Sequence, residues 1–485
     1  MNTLMDRSAC DRARLARDPC FDGLFFIGVK NTGIYCRPVC PARSPRPENI
    51  AYYPTAAAAA AVGLRPCLRC RPEMAPGSPA WNGTSETVAR AMQLIRQGAL
   101  DGGSVNNLAA RLGVGARHLR RLFLQHTGTT PKSIADNQRL LFAKRLMVET
   151  DMPITQVVLA AGYGSLRRFN AAFRKYLGHS PSQLRRSRPQ THPWSDDGFN
   201  GTLTLPYRPP YDWDRMLAFF QGRAIPGVEW VGDGAYCRTI RLSTTRGTIS
   251  VRHAQKGHAL ALDVRMTDTR ELMRVVERVR RMFDLDAYPR AIHQTLIQDP
   301  LLAERIHKTP GLRLPGSWDP FETAVRAVVG QQISVKGAVT QLGRIARLVG
   351  VPHDGDGKPH LTRLFPDAAE LMAADMAGIG MPQKRKETLR QIARQLVSGS
   401  LRLDTAGELS RFIDSITAIP GIGAWTANYV AMRALGEPDA FPASDLGIMK
   451  ALQEKGSRPT VKQVTARAEA WRPWRAYAAI YLWLG

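Results

Sequence analysis

Residues 419–450 read IPGIGAWTANYVAMRALGEPDAFPASDLGIMK. Pro420-Gly421-Ile422-Gly423 stands between two stretches of helical pattern, so the segment reads as helix, hairpin, helix. Glycines at 421 and 423 let backbone N–H groups approach a phosphate at the N-terminus of the second helix. A lone G-x-G is weak evidence. The W-T-A-N-Y that follows gives it weight, as does a carboxylate, Asp445, 22 residues after Gly423. Asp445, just ahead of LGIMKAL, suits a helix N-cap.

Composition points to the same kind of partner. The chain has 485 residues, 44% of them hydrophobic, with 67 Lys+Arg against 41 Asp+Glu, a net charge of +26. Residues 1–200 hold 28 basic and 13 acidic side chains (+15), and residues 201–485 hold 39 and 28 (+11). An excess spread over the whole chain suits a polyanion such as double-stranded DNA, engaged by several domains. The length allows about three or four of them. The N-terminal MNTLMDRSACDRARLARDPC lacks the apolar run of a signal peptide, and no stretch reaches the ~20 apolar residues of a membrane span. The expectation is a cytoplasmic, nucleoid-associated monomer that touches no membrane.

Texture divides the chain into residues 1–78, 84–187, a Pro/Gly/Asp linker at 188–202, 203–286 and 287–485. The first block holds six of the seven cysteines. Its run Ala56–Ala61 reads as a helix that Thr55 caps and Gly63 ends. The fourth block alternates like strands between helix signals, and the last is almost wholly helical. The fold class expected is multidomain and mainly α.

Within 84–187 a repeat recurs at an offset of 50: Leu119, Phe123, Gly128 and Pro131 return as Phe169, Phe173, Gly178 and Pro181. Each copy reads as a short helix, a Gly-containing turn and a second helix with apolar residues at i and i+4. Arg117, His118, Arg120 and Arg121 fall on the exposed positions of one second helix. Arg167, Arg168, Arg174 and Lys175 fall on those of the other. Two helix-turn-helix units with basic second helices suit groove reading and phosphate contact. The block resembles the AraC/XylS-type DNA-binding domain.

Cys36-x3-Cys40 and Cys67-x2-Cys70 have the spacing of one tetrahedral four-cysteine zinc site, while Cys10, Cys20 and Cys237 have no partner at that spacing. Such sites are most often structural. Here FFIGVKNTGIYCRPVCPAR and GLRPCLRCRPE resemble the Ada methylphosphotriester-acceptor domain, which implies that one zinc thiolate, by position Cys36, takes a methyl group from an alkylated DNA phosphate in a single irreversible step. Four thiolates on Zn²⁺ carry −2, and methylating one leaves −1, which favours DNA. The resemblance thus implies a promoter-binding activator, with RNA polymerase as a further partner. Arg43, Arg65, Arg69 and Arg37 lie near the ligands as candidate phosphate contacts. For Arg37 and Arg69, solvated surface is an equal alternative.

From Leu203 onward PYDWDRMLAFF, PGLRLPGSWDPFE, GQQISVKGA, GMPQKRKETL and WRPWRAYAAIYLW resemble bacterial 3-methyladenine DNA glycosylase II, of the helix-hairpin-helix glycosylase superfamily. The resemblance implies a small α+β domain on a two-lobed all-α fold, with Asp445 essential and Trp425, Tyr429 and Trp483 in an aromatic pocket for a flipped cationic base. Core packing is the plain alternative for each aromatic residue. Where lyases carry a lysine, this chain has Trp425, so a monofunctional glycosylase (EC 3.2.2.21) is expected. Gln332 stands where the family's type member has an apolar wedge. Carbonyls of Thr417, Ile419 and Gly421 are candidate ligands of a monovalent cation. No P-C-H-R motif of an O6-methylguanine transferase occurs. The main alternative is a glycosylase fused to a zinc-stabilised regulator without methyltransferase activity.

Overall fold

The computed structural model describes residues 6–77, 86–186, 198–243, 245–354, 357–404, 408–454 and 456–484. The N-terminal unit is built on a four-stranded sheet of β1 (Phe26–Val29), β2 (Ile34–Cys36), β3 (Ile50–Tyr53) and β4 (Arg65–Pro66) in the order β3-β1-β2-β4. The alanine run forms the helix Ala56–Ala61, with Thr55 Oγ1 accepting the Ala58 N–H at 3.0 Å and Gly63 at φ +88° beyond its end. Alanine permits close approach: Ala59 and Ala60 pack against Phe26 and Tyr35. The β2–β4 pairing is parallel, with Tyr35 opposite Pro66. That register places Cys36, at the end of β2, beside Cys67, just after β4.

Both repeat copies are helix-turn-helix units. One consists of Val105–Arg111 and Ala116–Thr127, the other of Ile154–Ala160 and Leu166–Leu177. Leu119, Phe123, Phe169 and Phe173 are all buried. Gly128 and Gly178 end the second helices at φ +71° and +74°, and Pro131 and Pro181 open the next ones. The repeat is one left-handed stop and one proline start, used twice.

A second sheet runs β5 (Phe199–Pro206), β9 (Ala259–Met266), β8 (Arg246–His253), β7 (Ala235–Arg241), β6 (Glu229–Gly232), antiparallel throughout. Helix Trp213–Gln221 is inserted between β5 and β6 and helix Leu272–Met282 follows β9; both share the sheet's core, the latter through Leu272, Val275, Val276, Val279 and Met282. β5 begins at Phe199, paired with Met266, inside the stretch expected to be linker. The linker residues 188–197 lie outside the described residues. The remaining chain is helical around one core that joins Val325 and Val328 to Leu389, Ile416, Val430 and Trp471. Among the described residues no helix is long and apolar enough to cross a membrane.

The units are packed against one another. Arg208, 0% exposed, donates to the carbonyls of Asp22 (2.8 Å), Gly77 (2.6 Å), Pro76 (3.4 Å), Asp286 (2.9 Å) and Ala287 (3.3 Å). Lys144 and Glu73 form a buried ion pair at 2.7 Å, and the Thr204 N–H donates to Glu149 at 3.2 Å.

Candidate metal centre and base pocket

The ligand sulfurs of Cys36, Cys40, Cys67 and Cys70 all lie within 4.8 Å of one another. Sulfurs about 2.3 Å from one zinc ion stand ~3.8 Å apart, so the four thiols fit a tetrahedral ion. Cys67 and Cys70 are buried, whereas Cys36 and Cys40 are partly accessible. Cys10, Cys20 and Cys237 stand outside the cluster. Arg37 is mostly buried and held by its neighbours, not solvated surface. Its N–H donates to Cys70 Sγ (3.3 Å), and its guanidinium grips the Asp22 carboxylate (2.8 Å at Oδ1) and the Cys70 carbonyl (3.0 Å). A buried carboxylate recruits it as a brace behind the ligands. Arg43, Arg65 and Arg69 are exposed.

On the second helices of the two helix-turn-helix units, Arg117, His118, Arg120, Arg121 and Arg167, Arg168, Arg174, Lys175 are all exposed. Each row stands opposite a buried aromatic or leucine pair, as helical spacing requires.

The hairpin joins helices Leu409–Thr417 and Ala424–Val430. Gly421 adopts φ +92°, and a Cβ there would meet Thr388 Oγ1 at 2.2 Å, so glycine is required. Gly423 is exposed with open space before it, and the first N–H groups of the helix Ala424–Val430 have no acceptor one turn back. The Ile419 carbonyl accepts the Ile422 N–H (3.1 Å) and the Gly421 carbonyl accepts the Gln331 amide (2.9 Å).

Asp445 caps helix Leu446–Ala451 through the N–H groups of Gly447 (2.8 Å) and Ile448 (3.1 Å). The Trp425 indole donates to its Oδ2 and the Trp483 indole to its Oδ1, both at 2.9 Å. Trp425 and Tyr429 stack at 5.2 Å and 19°. All four residues line one cavity of about 1200 Å³. Gln332, exposed at φ +57°, stands at its mouth on a turn held from behind: Gln331 also donates to Thr426 Oγ1 (2.9 Å), and Arg385 donates to the Gln331 carbonyl (2.9 Å). A carboxylate fixed by four donors beside stacked aromatic faces can stabilise a developing cation and take a proton from water.

Sequence reasoning missed the far wall of this cavity. Phe219 and Arg223 come from helix Trp213–Gln221 and the turn after it, and Arg326 comes from helix Pro320–Val329. Arg433 comes from the π-helical turn Ala431–Leu435. Glu229 and Glu322 neutralise Arg326 and Arg238 there. A Phe near a helix end and an Arg in the turn after it carry no signal that they face a site some 200 residues further along the chain.

Three family models match: the metal binding domain of Ada over residues 9–73, a helix-turn-helix domain over 108–187 and the AlkA N-terminal domain over 202–319. A Mycobacterium tuberculosis protein described as "Probable bifunctional transcriptional activator/DNA repair enzyme AlkA" is 42% identical over 481 residues, 99% of this chain and 96% of its own. The chain belongs to that family. Over 283 residues the chain is 35% identical to "DNA-3-methyladenine glycosylase 2" of Escherichia coli, covering 58% of this chain and 96% of that protein. A "3-methyladenine dna-glycosylase from Archaeoglobus fulgidus" shares the fold at TM-score 0.51 and 23% identity, over 58% of this chain and 97% of its own. The family model for the metal-binding domain and the four-thiol cluster together support zinc as the metal of this family member.

Proposed function

We propose that the chain is a DNA repair glycosylase fused to a transcriptional activator of alkylation repair, acting on N3- and N7-alkylated purines and sensing methylphosphotriesters. The observation that carries the first part is the Asp445 carboxylate, held by two indole N–H groups inside an aromatic cavity beside the hairpin. In the proposed reaction the C1′–N bond breaks and its electron pair stays with the base. The sugar becomes oxocarbenium-like opposite Asp445, and water adds at C1′ and loses a proton to that carboxylate. The base rests against Trp425, Tyr429 and Trp483. Trp425 offers no amine, so the product is an intact abasic site. Gly421 and Gly423 take a phosphate at the hairpin, where carbonyls of Thr417, Ile419 and Gly421 suit a monovalent cation, and Gln332 fills the gap in the stack.

In the other half, zinc when bound keeps the sulfurs as thiolates at neutral pH. Cys36 Sγ attacks the methyl carbon of a phosphotriester, the C–O bond breaks and a phosphodiester anion leaves. Partial accessibility favours Cys36 and Cys40 over the buried Cys67 and Cys70, and the resemblance around Cys36 supports it as the acceptor. The arginine rows on the two second helices read the promoter. One experiment tests both halves: duplexes bearing single lesions or methylphosphotriesters are incubated with the full chain. Strand breaks should appear only after alkali, and peptide mass spectrometry should find methyl on Cys36. Alkali-independent breaks overturn the monofunctional assignment, and methyl on Cys40, Cys67 or Cys70 instead overturns the acceptor assignment.

A further inference from the structure

The helix-turn-helix block is seated on the last helical block. Its first helix, Glu86–Arg96, lies against the chain that leaves the base cavity. That chain is the π-helical turn Ala431–Leu435, which closes at Gly436 (φ +69°) with the Gly436 and Glu437 N–H groups both on the Ala431 carbonyl. The last carbonyls of such a turn find no donor within their own helix. The Leu435 carbonyl takes its donor from the other block, the Gln93 side-chain amide, at 3.0 Å. Two residues on, the buried Glu437 faces the buried Arg90 at 3.8 Å. From inside the same turn Arg433 donates to the carbonyls of Pro315 and Gly316 (3.0 Å for the latter) and to Tyr429 Oη (2.8 Å). Tyr429 stacks on Trp425, whose indole N–H donates to Asp445. Gln93 and Asp445 are thus joined by an unbroken run of contacts.

We propose that Gln93 is a positioning residue for base release. Through the Leu435 carbonyl it clamps the π-helical turn, and the clamped turn holds Arg433 on Tyr429 and so fixes the stacked pair beside Asp445. This rests on the glycosylase function proposed above. The physical reason lies in the turn itself. π-Helical turns are rare and wider than α-turns, so one that persists needs support from outside its own backbone. Without a donor on the Leu435 carbonyl, relaxation towards an α-turn would swing Arg433 about the helix axis and loosen its hold on the Tyr429 hydroxyl. A helix of the DNA-reading block is then a working part of the excision site. Linkage makes the effect mutual: whatever draws the helix Glu86–Arg96 off the turn slows release, and a base seated against Tyr429 firms the docking of the block.

The test uses the full chain and a duplex bearing one 7-methylguanine, and measures single-turnover release at saturating enzyme, duplex affinity and melting temperature. Gln93→Met keeps the length of the side chain and deletes the donor. Release should fall about 3- to 10-fold, the scale of one neutral hydrogen bond, while duplex affinity and melting temperature hold. Tyr429→Phe removes the acceptor of Arg433 at the far end of the route, so adding Gln93→Met to it should slow release less than about twofold further. Arg111→Gln removes another ion pair between the blocks, to Asp404 at 3.1 Å, that involves no residue of the turn, and should leave release within about twofold of wild type. Three results overturn the inference: Gln93→Met as fast as wild type, the full Gln93→Met loss persisting in Tyr429→Phe, or Arg111→Gln as impaired as Gln93→Met. Wild type that releases no 7-methylguanine overturns the glycosylase function instead.

Discussion

The metal centre and the base cavity make opposite use of the chain. The four thiols come from positions 36 to 70, and one parallel strand pairing with two tight turns brings them together. The cavity draws on residues from Phe219 to Trp483, carried by helices that meet only when two lobes and a sheet have packed. In the first site the ligands are the local fold, so chemistry and stability rest on the same atoms. In the second, the core is apolar and elsewhere, and the Asp445 carboxylate stands at the N-terminus of a short helix. Locally built sites fail as structures, and assembled sites fail as catalysts.

That contrast breaks first at the thiols. Cys67→Ser removes a buried ligand from a centre whose zinc affinity, on the scale of structural sites, is about 10–16 kcal/mol. The expected outcome is loss of bound metal and melting of the 6–77 unit, seen by metal analysis and by protease resistance, with methyl acceptance lost as well. A metal-free protein whose 6–77 unit stays protected would break the comparison. Asp445→Asn should behave the other way. Asparagine keeps the cap on Leu446–Ala451 but not the charge, so base release should fall about 10²–10³-fold while melting temperature and affinity for lesion duplexes hold. Trp483→Phe keeps a ring and deletes one donor to the carboxylate. A hydrogen bond to a charged group contributes about 1.5–3 kcal/mol, so release should slow roughly 10- to 10²-fold, again without loss of fold. An unchanged rate would show that the Gly447 and Ile448 N–H groups and Trp425 suffice to hold Asp445.

The same contrast explains what could be read from the amino acids alone. The thiol spacing, the helix-turn-helix repeat with Gly128/Pro131 and Gly178/Pro181, and the hairpin with Asp445 are all short-range patterns, and each appears in the structure as an element. Trp425 and Tyr429 are four apart on one helix, so their stacking follows from the same periodicity. Trp483 reaches Asp445 only through the packing of the last helix. The far wall was invisible for that reason: Phe219, Arg223 and Arg433 read as core or as surface until the sheet domain closes over the lobe. The brace that Arg37 forms was not legible for a related reason, because its partner Asp22 lies upstream in a stretch with no periodic signal. β5 was taken to start late because Asn200, Gly201 and Thr202 look like a linker until β9 pairs with them.

Arg208 has a consequence of another order. Its five carbonyl partners belong to the thiol-bearing unit and to the chain just ahead of the last helical block, and it sits fully buried between them. Such a joint ties the two heads together. On the function proposed above, every copy standing at a promoter is one repair enzyme withdrawn from patrol of the chromosome. The dose of the response and the capacity for excision are drawn from a single pool of molecules.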